Sequence, residues 1–440
     1  MRFVIDPAAL AGATRGPILS SLIKLSNRTP AQWLPHGHAA TRGELPARWN
    51  TFRAVPVSDA IDAVALAAPQ HCMDGWAYLS RALGALLSGD LHAARHLAYY
   101  AQLRSGLSIL ANLGIGIFNG VNFAVTSPTM LTRIDPEISG VRANMGLGTH
   151  TAVWKTLLAW SISGPTAAIL LDSIRIRGST LTTCISSLWP GFSVVTSATS
   201  LISSWGLDLQ RGIDEHRQRN ISSYAPQALN PLTQHVNADL DFVEELWELV
   251  EPSTGPNFDN LDRHLLRTMF WKQHDLVSQL PLDQGALGTR FEFLPAQIAA
   301  IASQDFLTGA TEPNLPTLLT LAKATTNPAL PSEMISRALL LLRAATALTY
   351  ENLVSAGVNC ANGELRPWLD KLAIDRGYWK PGAALVNTTD LFADVQLALM
   401  DLVRSKPTDP ACLYDWLSNT QKGIPTVTEA ERIGVWCLSG

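Results

Sequence analysis

Apolar residues recur at intervals of three and four along several stretches of the chain, which is the spacing of a helix with one buried face. The clearest stretch is 91–112, in which Tyr100, Leu103 and Leu107 follow this period. Asp90 precedes the stretch, and aspartate is a favoured residue at the position that caps the start of a helix. The pattern therefore predicts a helix that begins directly after Asp90.

A second helix is predicted immediately before the first, over Asp74–Leu87. Asp74 is a start signal, and Ser88-Gly89 is a stop signal. The two helices would form a helical hairpin. The same periodicity predicts helices over 149–161, 166–177, 240–250 and 257–280. Residues 114–125 mix glycine with apolar and aromatic residues and predict a turn or a short β excursion.

These elements predict a mainly α fold, a helical bundle with at most a few short strands. Residues 1–70 contain frequent Pro and Arg and are predicted to form a mixed, irregular N-terminal segment. Residues 71–285 would form a helical domain. From about 281 onwards prolines separate shorter helical stretches, so 286–440 is predicted to be an additional helical C-terminal domain.

The composition predicts a large core and an assembled protein. Of the 440 residues, 47% are hydrophobic and only 16% are charged, against a usual charged share of about 25%. The face formed by Ala94, Ala98, Ala101 and Ser105 consists of small residues, which allow another helix to approach closely. We therefore expect a homodimer or a stable hetero-complex. The net charge of −4 excludes a global basic field that would recruit nucleic acid.

Two long runs without charge, Ser105–Thr132 and Gly178–Leu207, raise the question of membrane insertion. Both runs are rich in Gly, Ser, Thr or Asn, so they are interpreted as buried core and no membrane partner is expected. Asp6 and Pro7 interrupt the apolar start of the chain, which is unlike a signal peptide. The five cysteines lie far apart and form no C-x-x-C pair, which favours a reduced, cytoplasmic setting.

The first candidate site is the cluster Arg211, His216, Arg219 and Asn220. On a helix, His216, Arg219 and Asn220 share a face. Arg211 lies five residues before His216, so their side chains would point about 140° apart. Arginine binds phosphate and histidine transfers protons near neutral pH, so the cluster predicts phosphodiester chemistry. The alternative is a charged, solvated end of a helix.

The second candidate lies in the predicted helix 257–280, where Arg263, Arg267, Trp271 and His274 follow one face. Such a stripe could stack a nucleic-acid base and hold a phosphate. The alternative is an amphipathic helix with its tryptophan in the core and its charges at the rim.

Other motifs point away from metal and cofactor chemistry. His92 and His96 have the spacing of two metal ligands, but no third ligand is near in the sequence, so no metal site is predicted. Gly114, Gly116 and Gly120 miss the dinucleotide-binding spacing by one residue and follow a helix rather than a strand. Walker A, nucleophile-elbow and kinase signatures are absent from the sequence. We therefore expect no cofactor.

The predicted helical hairpin and two Arg-x4-6-His patterns, Arg211 with His216 and Arg267 with His274, make residues 74–280 resemble the HEPN superfamily. These helical-bundle proteins are common in prokaryotic defence and toxin systems. The resemblance implies a metal-independent endoribonuclease with RNA as its partner and the Arg/His pair at a dimer interface. Arg211 would stabilise the phosphorane charge, and His216 would move the proton.

Many members of this superfamily are inactive and serve as binding modules. The resemblance therefore also leaves an alternative, a non-catalytic helical interaction subunit of a larger defence or regulatory complex.

Overall fold

A computed structural model shows the protein to be mainly helical with two small antiparallel sheets, which confirms the mainly α fold class. The structure describes residues 5–26, 34, 37–40, 45–46, 48–135, 146–162, 164–189, 200–224, 235–253, 256–277, 284–358, 366–382 and 388–439. The helices, strands, contacts and cavities of the protein are described for these residues.

The helices follow one another through the described ranges of the chain. In the first half they are α1 (Pro7–Ala11), α2 (Gly16–Ser26), α3 (Trp49–Phe52), α4 (Val57–Leu87), α5 (Leu91–Asn112), α6 (Thr149–Ser161), α7 (Gly164–Ser173), α8 (Leu181–Leu188) and α9 (Arg211–Tyr224). In the second half they are α10 (Val236–Leu249), α11 (Asp259–Val277), α12 (Gln284–Phe291), α13 (Ala296–Ala299), α14 (Gln304–Thr308), α15 (Thr317–Lys323), α16 (Pro331–Ser355), α17 (Arg366–Asp375), α18 (Thr388–Ser405), α19 (Leu413–Thr420), α20 (Ile424–Val427) and α21 (Glu431–Ser439).

The strands form one three-stranded and one two-stranded sheet. They are β1 (Ile115–Phe118), β2 (Val121–Ser127), β3 (Met130–Arg133), β4 (Arg175–Ile176) and β5 (Ser179–Thr180). β1 and β2 pair in the register Phe118↔Val121. Asn119 and Gly120 connect them with φ values of 34° and 101°, the conformation that favours Asn-Gly in a two-residue hairpin turn. The β excursion predicted at 114–125 is confirmed.

Three helices, α4, α5 and α16, form the centre of the protein. α5 packs against both of the others, and the buried hydrophobic residues of the described ranges form one cluster. α16 lies in the segment that the sequence assigned to a C-terminal domain. The core therefore crosses the boundary that the prolines indicated near 281–295.

The start of α4 differs from the prediction. The helix begins at Val57, and Asp74 lies in its interior rather than at its start. It also continues through Pro69, although proline usually breaks a helix interior. The residues from Ala60 to Ala68 are buried, so tertiary packing compensates for the lost backbone hydrogen bond. α2 and the first part of α4 thus occupy sequence that was predicted to be irregular.

The predicted start of α5 is confirmed. The Asp90 carboxylate accepts a hydrogen bond from the Ala93 backbone N–H at 2.9 Å, which is the interaction of an N-cap. The helix ends at Asn112, and α4 and α5 form the expected hairpin.

The other predicted helices are found with shifted ends. α6 has the predicted bounds, whereas α7 ends at Ser173 and is followed by strand β4. The helix predicted at 240–250 begins earlier, at Val236, and the one predicted at 257–280 is α11, with 278–280 outside the described residues.

The small-residue face of α5 serves packing within the chain. Ala94, Ala98, Ala101 and Ser105 are fully buried. A Cβ built on Gly75 of α4 would lie 3.3 Å from Ser105 Oγ, so α4 occupies the close-approach surface. The sequence argument that this face receives a second subunit is therefore wrong, and assembly stays a prediction that rests on composition.

The two uncharged runs have described parts that lie largely in the core. In the first run β1 and β2 are mostly buried, and in the second α8 contributes Leu181, Ile185 and Leu188 to the core. Among the described helices, none combines the length and the apolar character that crossing a membrane requires. Residues 190–199 of the second run lie outside the described residues.

A buried ion pair connects α11 to α16. Arg343 Nε and Nη2 each donate a 2.8 Å hydrogen bond to the Asp262 carboxylate, and both side chains are fully buried. Removing one partner of such a pair leaves an uncompensated charge in the core.

We expect Arg343→Met to lower the free energy of unfolding by about 3–5 kcal/mol, measured by urea denaturation. The double variant Arg343→Met/Asp262→Leu should recover most of that loss, because it removes both charges. Equal losses in the single and the double variant would contradict this account of the pair.

Candidate functional site

α9 lies against α5, and His216 makes the most specific contact between them. Its ring stacks on the ring of Tyr99, with the centroids 5.6 Å apart. It also stacks on the ring of His150 from α6, with the centroids 4.7 Å apart and the planes within 7°. Three helices thus bring three rings together.

Arg219 lies beside these rings, on the same face of α9 as His216. Its guanidinium is 4.9 Å from the centroid of the Tyr100 ring and donates hydrogen bonds to the Tyr100 hydroxyl and, at 2.7 Å, to Asn220 Oδ1. The three residues that helical spacing placed on one face, His216, Arg219 and Asn220, therefore lie together. We call the group Tyr99, Tyr100, His150, His216 and Arg219 the histidine–tyrosine cluster.

Hydrogen bonds fix the orientation of His150. The Trp154 indole N–H donates to the Tyr99 hydroxyl oxygen at 3.2 Å, and the same hydroxyl lies 3.0 Å from His150 Nδ1. With His150 Nδ1 protonated, this nitrogen donates to the Tyr99 oxygen, and Nε2 keeps the lone pair that can accept a proton.

The histidines of the cluster are held in their neutral form. Burial lowers the pKa of His150 to about 4, with further contributions from His216, Arg219 and Arg104. Burial, and then the positive charge of Arg219, lowers the pKa of His216. Both rings are therefore unprotonated at neutral pH and able to accept a proton.

His92 and His96 are bound to serines of α9. His96 Nδ1 lies 2.5 Å from Ser223 Oγ, and His92 Nδ1 lies 3.3 Å from Ser222 Oγ. No group of three ligating side chains suited to a metal ion occurs within the described ranges. The two histidines therefore connect α5 to α9.

A cavity of about 1060 Å³ adjoins the histidine–tyrosine cluster, between α4, α5 and the β1–β2 hairpin. Its apolar wall includes Leu66, Leu103, Leu107, Ile117 and Phe118, and its polar wall includes His71, Tyr100, Arg104 and His150. His216 and Arg219 contact the wall residues His150 and Tyr100. Tyr100 and His150 belong to both the cluster and the cavity wall, and the stacked His216 can take part in proton transfer to a bound molecule through His150.

Arg104 supplies the positive charge in the cavity wall. It donates a 2.9 Å hydrogen bond to His71 Nδ1 and lies 3.4 Å from the Asp74 carboxylate. Burial lowers the pKa of His71, so this histidine accepts the hydrogen bond in its neutral form. Asp74, which was predicted to start a helix, instead orients the guanidinium of Arg104.

Arg211 makes its contacts outside the histidine–tyrosine cluster. Its guanidinium donates to the Ala324 carbonyl oxygen and lies 3.4 Å from the Asp208 carboxylate. Arg337 of α16 donates to the same carbonyl oxygen at 3.5 Å. Arg211 is thus directed towards α15 and α16, whereas His216 faces α5, in agreement with their predicted angular separation. The structure groups Arg219, not Arg211, with His216.

The residues of the second candidate site, on α11, lie in different surroundings. Arg263 pairs with Glu312 at 3.4 Å, and Arg267 donates to the carbonyl oxygens of residues 313 and 314. Trp271 and Arg267 line a second cavity. His274 instead packs against the rings of Trp189 and Trp271.

Sequence reasoning missed four residues of the site: Tyr99, Tyr100, Arg104 and His150. Tyr100 had been assigned to the apolar stripe of α5, although its phenol ring could bind a cation. His150 gave no local signal, because its partner His216 is brought to it only by the packing of α6 and α9.

Comparisons with protein-family models, curated proteins and solved structures found no match to this chain.

Proposed function

We propose that the protein is a HEPN-like, metal-independent ribonuclease or RNA-binding protein of prokaryotic defence that acts in the cytoplasm. The observation that carries the proposal is the stacked pair His150 and His216, held neutral next to Arg219 and beside a cavity with Arg104 in its wall. Neutral histidine accepts a proton, and arginine stabilises the charge of a phosphate. Both are needed to cleave RNA through its 2′-hydroxyl group.

In the proposed reaction, Arg104 binds the phosphate and the histidine pair moves the proton. His216 and His150 together take the proton of the 2′-hydroxyl, and the oxygen forms a bond to phosphorus. The bond from phosphorus to the 5′ oxygen then breaks, and the leaving oxygen takes the proton back. The products are a 2′,3′-cyclic phosphate and a 5′-hydroxyl.

The stacking of the two histidines supports their action as a single proton acceptor. With ring centroids 4.7 Å apart, two imidazolium cations would repel each other, so protonation of one ring opposes protonation of the other. The pair therefore takes up one proton at a time. Arg219 adds to this effect, because its charge disfavours an imidazolium at either ring.

The alternative function, a non-catalytic subunit of a larger defence or regulatory complex, has one observation in its favour. Leu397 and Met400 on α18 are 63% and 51% exposed, and Tyr414 on α19 is 80% exposed. Leu397 and Met400 are three residues apart on one helix face, and α18 packs against α19. Two exposed apolar side chains on one helix face, as Leu397 and Met400 are, are typical of protein interaction sites.

We expect His216→Ala to lower kcat for cleavage of single-stranded RNA by about 100-fold or more, because a general acid–base group contributes about 10²–10⁴-fold. Arg211→Ala should retain near wild-type activity and lose about 1 kcal/mol of stability with its hydrogen bond to Ala324. Gel-based cleavage assays and thermal unfolding of both variants measure these effects. Loss of activity in Arg211→Ala alone would contradict the assignment of Arg104 and the His150–His216 pair as the reacting groups.

The pH dependence follows from the lowered pKa of His216. The unprotonated ring is the active base, so kcat/KM should be constant near neutral pH and fall as the pH drops through the pKa of the histidine. The midpoint should lie below 6.5, the ordinary value for histidine. Cleavage should also survive EDTA. A midpoint above 6.5, or loss of activity on chelation, would contradict the mechanism.

If the protein is a non-catalytic interaction subunit, substitutions at Leu397 and Met400 should affect its assembly. Leu397→Glu/Met400→Glu should abolish self-association or capture of a partner, measured by light scattering and affinity purification, while RNA cleavage remains unchanged. Lys422→Glu, at an exposed position outside α18 and α19, is the matched control. An unchanged assembly in the double variant would exclude this surface as the interface.

A further inference from the structure

The second cavity has a volume of about 580 Å³ and lies between α11, α14 and the end of α15. This volume is within the roughly 300–1,000 Å³ that is usual for small-molecule sites. Three cationic side chains line it, Arg267, Lys272 and Lys323, against one carboxylate, Asp275. The excess of positive charge indicates an anionic ligand.

Arg267 is fixed in the wall by neutral groups. It is only 4% exposed and donates to the carbonyl oxygens of Pro313 at 3.2 Å and Asn314 at 3.4 Å. Its Nε has no hydrogen-bond acceptor among the described residues. Carbonyl oxygens do not neutralise a guanidinium, and the nearby Glu312 carboxylate is shared with Arg263, so a buried positive charge with an unused donor remains at the cavity.

The local backbone makes room for this guanidinium. Gly309 ends α14 with a φ of 83°, and a Cβ at this position would lie 2.7 Å from Arg267 Nη2. Glycine adopts positive φ without strain. The same residue therefore satisfies the turn after α14 and permits the approach of Arg267.

The two lysines form no ion pair with a carboxylate of the described residues, and Asp275 is the acidic side chain that shares the wall with them. Partial burial in the wall lowers the pKa of Lys323. An anion bound between these groups would offset the cost of placing three positive charges around one cavity.

Aromatic and hydroxyl groups complete the wall. Trp271 contributes its indole, and Ser204 and Thr268 contribute hydroxyl groups whose oxygens are 3.4 Å apart. Arginine and lysine bind phosphate groups, and an indole stacks on a planar base. We infer that this cavity binds a nucleotide with at least two phosphate groups, which contact Arg267, Lys272 and Lys323 while the base contacts Trp271. The inference is independent of RNA cleavage at the histidine–tyrosine cluster.

The test is calorimetric titration of the full-length protein with ADP. We expect saturable binding that weakens by about tenfold in Lys323→Met and in Lys272→Met, since a hydrogen bond to a charged group contributes about 1.5–3 kcal/mol and 1.4 kcal/mol is tenfold in affinity. Lys272 is partly exposed and Lys323 is exposed, so the variants should fold. Lys422→Met, an exposed lysine outside the cavity, is the matched control and should bind ADP as the wild type does.

Two further titrations define the ligand class and separate this site from the catalytic one. Pyrophosphate should bind more weakly than ADP, because it lacks a base to contact Trp271. His216→Ala should bind ADP with wild-type affinity even though RNA cleavage is lost. The inference is overturned if ADP does not saturate at millimolar concentration, if pyrophosphate binds as tightly as ADP, or if the two lysine variants bind ADP unchanged.

Discussion

The close packing of α4, α5 and α16 at Gly75 determines where the candidate site can lie. A Cβ at Gly75 would be 2.8 Å from Leu342 Cδ2 of α16 and 3.3 Å from Ser105 Oγ of α5, so a larger residue would push the three helices apart. With one side of α5 held in this way, another side remains for α9. That side carries His96 and Tyr100, and the histidine–tyrosine cluster forms where α9 covers it.

α9 is held by charge on one face and presents its functional groups on another. Glu215 forms a buried ion pair with Arg337 of α16. Burial raises the pKa of Glu215, and the neighbouring Arg337 opposes that rise. The next residue, His216, points to α5, where burial likewise disfavours the charged form and, because histidine is a base, lowers its pKa and keeps the ring uncharged. One short helix thus combines a charged anchor with a neutral proton acceptor.

The sequence predicted those features that local chemistry decides. Asp90 caps α5 because its carboxylate reaches a nearby backbone N–H, and His216 and Arg219 share a face because they are three residues apart. Tertiary packing determined the features that the sequence did not predict. Helix α4 continues through Pro69 because the residues from Ala60 to Ala68 before it are buried, and His150 joins His216 only when α6 and α9 meet on α5. No local pattern could have indicated that Arg104, rather than Arg211, lines the cavity.

The central claim is that His150 and His216 form one coupled, neutral proton-accepting pair. Its most direct test is an NMR titration of the histidine side chains in the wild type and in His216→Ala. The account predicts that both rings titrate below 6.5 in the wild type, and that the pKa of His150 rises when His216 is removed, because His216 contributes to its lowering. Two rings that titrate near 6.5, with His150 unaffected by the substitution, would contradict it.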